Sequence, residues 1–262
     1  MMLSDYHVHS TYCDGIDSPR EIVLSAIQKG MKRIGFSSHS YTAFDESYCM
    51  PKARTHAYRA EIVALQKEFA DQITIFCGIE QGYYAAPPQV PYDYAIGSVH
   101  YLLLGGKYEP IDESRAIFCR IAKQYFGGDF YALAEVYFET VSHVIEKTNA
   151  QIIGHLDLIA KFNADNALFD EGNARYVAAY QRAIDALVPY RVPFELNTGA
   201  ISRGLRSVPY PNEAMQAYIH QKGGSFILSS DSHSRDTLCF GFAACAEKAA
   251  SYRLVDLTDV LV

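Results

Sequence analysis

Six of the nine histidines in this chain stand where an apolar run ends. They are His7 and His9 in LSDYHVHSTYCDG, His39 in IGFSSHS, His100 in YAIGSVH, His155 in QIIGHLD and His233 in FILSSDSH. Glu80, which closes ITIFCGIE, and Asp231, in the last of those motifs, hold the same kind of position. Imidazole nitrogens suit zinc, manganese and iron, and carboxylates suit the harder of these cations. His7 and His9 are two apart, so on a strand both project to one face and can reach one ion. Asp231-Ser232-His233 repeats that spacing. Asp5 shares the face and is placed to accept a hydrogen bond from a ligating imidazole. Any one of these residues also reads as a hydrogen-bonded polar group at a strand end, and Glu80 as half of an ion pair. Their joint occurrence at the ends of most strands points to one metal cluster. Metal ions lower the pKa of bound water, so a hydrolase is the leading reading.

Such a cluster needs elements that bring all strand ends together. Strand and helix alternate along the chain. Apolar or alternating runs predict strands at Leu3 to Val8, Arg33 to Ser37, Ile73 to Ile79, Tyr94 to Val99, Gln151 to Gly154, Pro193 to Leu196 and Ser225 to Ser229. Ser18-Pro19-Arg20-Glu21 opens a helix as a capping box with proline in the first turn, and Gly30 ends it after Lys29. Further helices are expected at about Lys52 to Phe69, Asp112 to Phe126, Tyr131 to Lys147, Glu171 to Ala186, Asn212 to Gln221 and Arg235 to Ser251. This is an α/β pattern with a parallel sheet and helical crossovers. No linker or low-complexity tract divides it, so residues 1–262 read as a single domain. An irregular seven-stranded TIM-like barrel gathers all strand ends around one mouth. A doubly wound open sheet is the alternative, and it would leave some of those ends far apart.

Composition narrows the rest. The chain has 262 residues, 49% of them hydrophobic, and a net charge of -7. An acidic balance disfavours nucleic-acid binding, but a small phosphorylated substrate remains compatible because metal ions supply positive charge. Six cysteines without a CxxC pair read as reduced thiols of a cytoplasmic protein. No 18-residue apolar run and no signal-peptide pattern points to a membrane or to export. The oligomeric state is left open. His56, His143 and His220 fall inside helical patterns and read as surface residues. Cys13 and Cys77 read as packing residues.

Taken in order, HVHSTYCDG, SSHS, GIE, GSVH, GHLD, ELNTGAISRG and SSDSH resemble the polymerase and histidinol phosphatase (PHP) superfamily. Within it the chain is similar to the monofunctional histidinol-phosphate phosphatases, over essentially its whole length. The resemblance implies an irregular (βα)7 barrel with three divalent metal ions, zinc, manganese or iron. One metal would take His7, His9, Glu80 and Asp231. A second would share Glu80 and add His100 and His155. The third would take His39 and His233, with Asp231 bridging. Many relatives place a further histidine just after the first motif, where this chain has Asp14. Asp14 is therefore either a ligand or a turn residue before Gly15.

The implied reaction is hydrolysis of L-histidinol phosphate, a late step of histidine biosynthesis. Arg203, after strand six, is the candidate phosphate clamp because its planar fork matches two oxygens. Lys161, six residues past His155, is a second candidate. Either cation could equally be solvated at the surface. Asp231 or His233 would pass a proton to the leaving alcohol. The substrate also carries an amine and an imidazole, which acidic and aromatic groups would suit. The loop after His39 offers Tyr41, Phe44, Asp45, Glu46 and Tyr48. Competing readings are a phosphoesterase of this superfamily with a nucleotide or another small phosphate ester as substrate, and a non-catalytic metal-binding module. A metal amidohydrolase also uses His-x-His in a barrel, but no bridging lysine is evident at a strand end.

Overall fold

The computed structural model describes residues 3–261. In chain order the elements are β1 (Ser4–Asp5), α1 (Pro19–Gln28), β2 (Arg33–Phe36), α2 (Thr55–Glu68), β3 (Thr74–Gly82), β4 (Tyr94–Ser98), β5 (Tyr101–Leu104), β6 (Lys107–Pro110), α3 (Arg115–Phe126), α4 (Phe130–Ser142), α5 (Val144–Thr148), β7 (Ile152–Ile153), α6 (Ala174–Leu187), β8 (Phe194–Asn197), α7 (Gly199–Ser202), α8 (Glu213–Gln221), β9 (Phe226–Ser229), α9 (Phe242–Lys248) and α10 (Leu257–Val260). Seven strands pair in parallel in the order β1-β2-β3-β4-β7-β8-β9. The two edges then meet. His9 N donates to the Ser232 carbonyl at 2.8 Å, and Ser232 N donates to the His7 carbonyl at 3.0 Å. That contact turns the sheet into a nearly closed barrel and decides against the open alternative.

The barrel interior is filled by residues from most of its strands. Tyr6, Tyr94, Ile96, Ile152, Ile227 and Leu257 form one buried cluster. Tyr94 crosses the interior and donates to the carbonyls of Tyr6 and Phe36. Glycine is required where its ring passes: a Cβ on Gly35 or Gly78 would come within 2.3 Å of Tyr94. A second, larger core lies between the barrel wall and the helices, with α4 and α6 contributing Phe138, Tyr176 and Ile184.

Local chemistry explains the boundaries. Ser18 and Glu21 form the reciprocal capping box of α1, with Pro19 in the first turn, and Gly30 takes a left-handed φ of 73° just past its end. The last expected helix does not run from Arg235 to Ser251. Cys239 and Gly241 both have positive φ (56° and 70°), which breaks the helical path and delays α9 to Phe242. The β5–β6 hairpin was not expected. Gly105 and Gly106 both carry positive φ at its tip, as a two-residue turn between antiparallel strands requires. Regular pairing of β1 stops at Asp5, because the following residues leave the ladder for the contact with Ser232.

Candidate active site

The strand ends deliver their polar residues to one mouth, and Glu80 is at its centre. Its Oε1 lies 2.9 Å from His100 Nε2 and 3.0 Å from His155 Nε2. Its Oε2 lies 2.8 Å from His39 Nδ1, 3.2 Å from His7 Nε2 and 3.5 Å from His9 Nε2. Asp231 Oδ1 approaches the same nitrogens of His7 and His9, at 3.7 and 3.3 Å. Asp14, from the turn after the first motif, lies 3.3 Å from His233 Nε2 and 3.6 Å from both His39 and His9. Every residue expected as a ligand is therefore in the mouth.

His100 and His155 hydrogen-bond Glu80 Oε1, but three facing atoms are left over. His7 Nε2, His9 Nε2 and Glu80 Oε2 are all buried and lack a hydrogen-bond partner. A buried polar atom left so is costly unless something else meets it. Donor atoms about 2.1 Å from a tetrahedral cation lie roughly 3.4 Å from one another, which is the spacing found here. Three groups could each hold an ion: His9, Asp14, His39 and His233; His7, His9 and Glu80; and His39, Glu80 and His100. The residues therefore fit a metal cluster. The partition differs from the expected one in three respects: His39 joins Glu80 and His100 where His155 was expected, His9 joins the group of Asp14, His39 and His233, and Asp231 falls in none of the three groups.

Electrostatics points the same way. Burial works against charge on Glu80, yet the imidazoles of His39, His7 and His100 hold its carboxyl well below the usual range. Burial likewise opposes the charge on Asp231, and Arg203 and His7 overcome it. In return, burial notwithstanding, Glu80 and Asp112 raise the pKa of His100 to about 9. His9 goes the other way: burial and the imidazoles of His233 and His39 lower it to about 3. The carboxylates draw positive charge into the cluster, and a divalent cation meets the same demand. Asp231 also has φ of 50°, a strained conformation outside glycine and a frequent mark of functional sites.

The supporting residues were only partly anticipated. Glu195, on β8, escaped notice as a site residue. Its Oε1 lies 2.6 Å from His7 Nδ1, and its Oε2 accepts from His155 N at 2.8 Å. It is a carboxylate inside the apolar strand PFELN, the same signal that singled out Glu80. The expectation for Asp5 is corrected. Its carboxylate binds no imidazole and instead accepts from Ser230 N, Ser230 Oγ and Cys239 N. It is buried beneath the Ser230–Ser232 segment and ties that loop to β1.

A cavity of about 480 Å³ opens over the cluster. Arg203 and Lys161 both line it. Arg203 donates from Nη2 to Asp231 Oδ2 at 3.0 Å and from Nη1 to the Asp231 carbonyl at 3.1 Å. Gly199 makes room for this pair, since a Cβ there would lie 2.7 Å from the Arg203 guanidinium and 2.8 Å from Asp231. Lys161 donates to Asp112 at 3.1 Å, and Asp112 also lies 3.5 Å from His100 Nδ1. Asp112, Tyr101 and Glu113 line the cavity from the hairpin side and had not been singled out. Asp45 and Tyr48 line it from the loop after β2. Glu46 does not, and its expected role is corrected. Asp45 turns back to accept from Ser47, which sends Glu46 outward to the Tyr41 hydroxyl at 2.9 Å. His56, His143 and His220 are exposed, and none of them lines the cavity. Cys13 sits at 3.4 Å from His9 Nδ1, and Cys77 is in the core. All six cysteines are unpaired.

The PHP domain model matches residues 5–199. The chain belongs to the PHP domain family. β9, with Asp231 and His233 after it, lies beyond the matched span and completes the mouth. A Deinococcus radiodurans protein named probable histidinol-phosphatase is 26% identical over 92% of this chain and 90% of its own. A solved Listeria monocytogenes structure, described as a candidate histidinol phosphatase, superposes with a TM-score of 0.78 at 20% identity, over 92% of this chain and 99% of its own. The histidinol phosphate phosphatase of Lactococcus lactis, solved with zinc, L-histidinol and phosphate, gives 0.73 at 23% identity, over 97% and 95%. At such identities the structural likeness speaks for the barrel fold. No helix among the described residues is long and apolar enough to cross a membrane.

Proposed function

We propose that this PHP protein is a metal-dependent phosphomonoesterase whose substrate is L-histidinol phosphate, hydrolysed to L-histidinol and phosphate. The observation that carries the reading is the juxtaposition of Glu80, which faces five imidazoles, with Arg203 and Lys161 over one cavity. The names of the relatives, and the zinc, histidinol and phosphate in the Lactococcus lactis structure, favour this substrate over other phosphate esters.

His7, His9, Glu80 and Asp231 would hold one divalent ion, Glu80 with His100 and His155 a second, and Asp14, His39 and His233 a third. When bound, such ions neutralise phosphate oxygens and supply a nucleophile from water near neutral pH. The chain's own groups do the rest. Glu195 fixes the His7 ring through Nδ1, so that Nε2 presents its lone pair to the cluster. Asp112 does the same for His100. Arg203 is anchored on Asp231 through Nη1 and Nη2 and lines the cavity, so its remaining N–H groups would bind phosphate oxygens as charge builds up. Lys161 adds a second positive charge on the adjacent loop. His233, the more exposed of the two expected proton carriers, and Asp231 flank that position. We read residues 1–262 as one domain acting on a small phosphorylated substrate. The unpaired cysteines suit the reducing cytoplasm.

The test is phosphate release from L-histidinol phosphate, a nucleoside monophosphate and an aryl phosphate under identical conditions with added zinc or manganese. Clear preference for histidinol phosphate is expected. Equal or better turnover of the other two would keep the phosphatase and discard the substrate.

A further inference from the structure

The two cavity cations come from different loops. Lys161 lies on the loop between β7 and α6, and Arg203 on the loop between β8 and α8. Another cation, Arg206, follows Arg203 by three residues but does not line the cavity, and it is only 8% exposed. Its guanidinium meets the Lys161 loop near both ends of that loop. Nη1 lies 3.5 Å from Asp157 Oδ2, and Nη2 lies 3.6 Å from Glu171 Oε2. Asn212, where the Arg203 loop runs into α8, meets the same two carboxylates. Its N donates to Asp157 Oδ2 at 3.2 Å, and its Nδ2 donates to Glu171 Oε2 at 2.7 Å.

Short stretches of tightly bonded chain connect these contacts to the cavity cations. On one loop, Ala160 N donates to the Asp157 carbonyl and Lys161 N to the Leu158 carbonyl, both at 2.9 Å. On the other, Arg203 N donates to the Gly199 carbonyl at 3.2 Å, and Leu205 N and Arg206 N donate to the Ala200 carbonyl at 2.9 and 3.3 Å. A displacement of Asp157 or Arg206 is therefore passed to Lys161 or Arg203 within about one turn of chain. The guanidinium of Arg206 also lies over the Tyr210 ring, 5.0 Å from its centroid, and Tyr210 is paired with Asn197 of β8. Stability alone does not call for a charge in this place. Burying a guanidinium against carboxylates costs solvation, and apolar groups of similar size often hold a fold as well. A rigid fork set between two carboxylates adds a fixed register between the segments that carry them.

We infer that Arg206 is a positioning residue for the phosphate side of the mouth: set between Asp157 and Glu171, it locks the loop that carries Arg203 to the loop that carries Lys161. The two cavity cations then keep one spacing before phosphate arrives, and binding does not have to order them. This rests on the phosphomonoesterase reading above. It adds residues outside the cavity that set the cavity's affinity for phosphate. Without Arg206, two buried like charges would face each other across the lock and press the loops apart.

The experiment measures inhibition by inorganic phosphate, metal content and denaturant unfolding in the metal-loaded protein. It compares wild type with Arg206→Gln, Arg206→Lys and Glu171→Gln, and repeats Arg206→Gln in an Arg203→Met background. Arg206→Gln should weaken phosphate inhibition about fivefold with metal content unchanged. Arg206→Lys, which keeps the charge without the fork, should recover part of that loss. Glu171→Gln breaks one contact at a partly exposed side chain and should weaken inhibition about twofold. It carries the test if Arg206→Gln does not fold. In the Arg203→Met background, Arg206→Gln should change inhibition by less than about twofold, because the pair it positions is already broken. Variants that unfold earlier yet are inhibited like wild type overturn the inference, since a purely structural ion pair gives that result. An undiminished effect in the Arg203→Met background overturns it too, as does a loss of metal in step with the loss of inhibition. Each of these outcomes leaves the phosphatase reading intact. A metal-loaded wild type that releases no phosphate from any phosphate ester contradicts that reading, and the inference with it.

Discussion

The two ends of this barrel treat their polar groups in opposite ways. At the bottom, Asp256 accepts from Ser4 Oγ at 3.0 Å and from the Tyr6 hydroxyl at 2.8 Å, and Arg33 lies 3.3 Å away. Leu257, fully buried, closes the interior beside it. There Asp256 is matched by protein donors and by Arg33. At the mouth, Glu80, His7 and His9 are more deeply buried than Asp256, yet Glu80 Oε2, His7 Nε2 and His9 Nε2 have no hydrogen-bond partner. Three inward-facing atoms left without a partner are the arrangement a cation completes. The difference separates polar groups kept for stability from polar groups kept for chemistry.

Substitutions at the two ends should therefore fail in different ways. The largest effect belongs to Glu80→Gln, which removes the charge that five imidazoles share. It should lower kcat/KM on the order of 10³-fold and strip most of the bound metal, as read by elemental analysis beside kinetics. Full activity in this variant would erase the contrast between the two ends. Next comes Arg203→Met, expected to lower kcat/KM about 100-fold with metal content preserved. Inorganic phosphate should inhibit this variant far less than wild type, and unaltered inhibition would place the phosphate elsewhere. Gly199→Ala should cost about tenfold in kcat, since its Cβ would press on Arg203 and Asp231. If its kinetics match wild type, the Arg203–Asp231 pair is not the fixed element described. The smallest effect on activity should come from the bottom. Tyr6→Phe loses the hydroxyl that Asp256 accepts and should lower unfolding free energy by about 1–2 kcal/mol, measured by denaturant titration, with turnover close to wild type.

Much of the mouth could be read from the chain because parallel barrels put function at strand ends. A histidine or carboxylate that closes a short apolar run is conspicuous, and His7, His9, His39, Glu80, His100, His155, Asp231 and His233 all arrive together. The seven strands were legible for the same reason, although their lengths were not. β3 runs on to Gly82 by pairing with β4, and β1 is cut short by the barrel closure. What could not be read depends on which way a side chain turns after its strand ends. Asp45 and Glu46 are equivalent in sequence, and only the Ser47 turn sends one inward and the other outward. The hairpin had a signal in Gly105-Gly106 between strand-like runs, but its contribution of Asp112 and Glu113 to the site depends on how it folds over the mouth. Glu195 did carry a local signal. Its partner His7 is 188 residues away, so its role appears only when β1 and β8 face each other across the barrel.

The central claim is that cations complete the mouth and that the chemistry depends on them. The most direct measurement follows metal content and phosphate release from L-histidinol phosphate on one sample through a chelator titration and subsequent return of zinc or manganese. The account predicts that both quantities fall together and recover together, with release in the stripped protein near the background rate. Undiminished release from metal-free protein would contradict it.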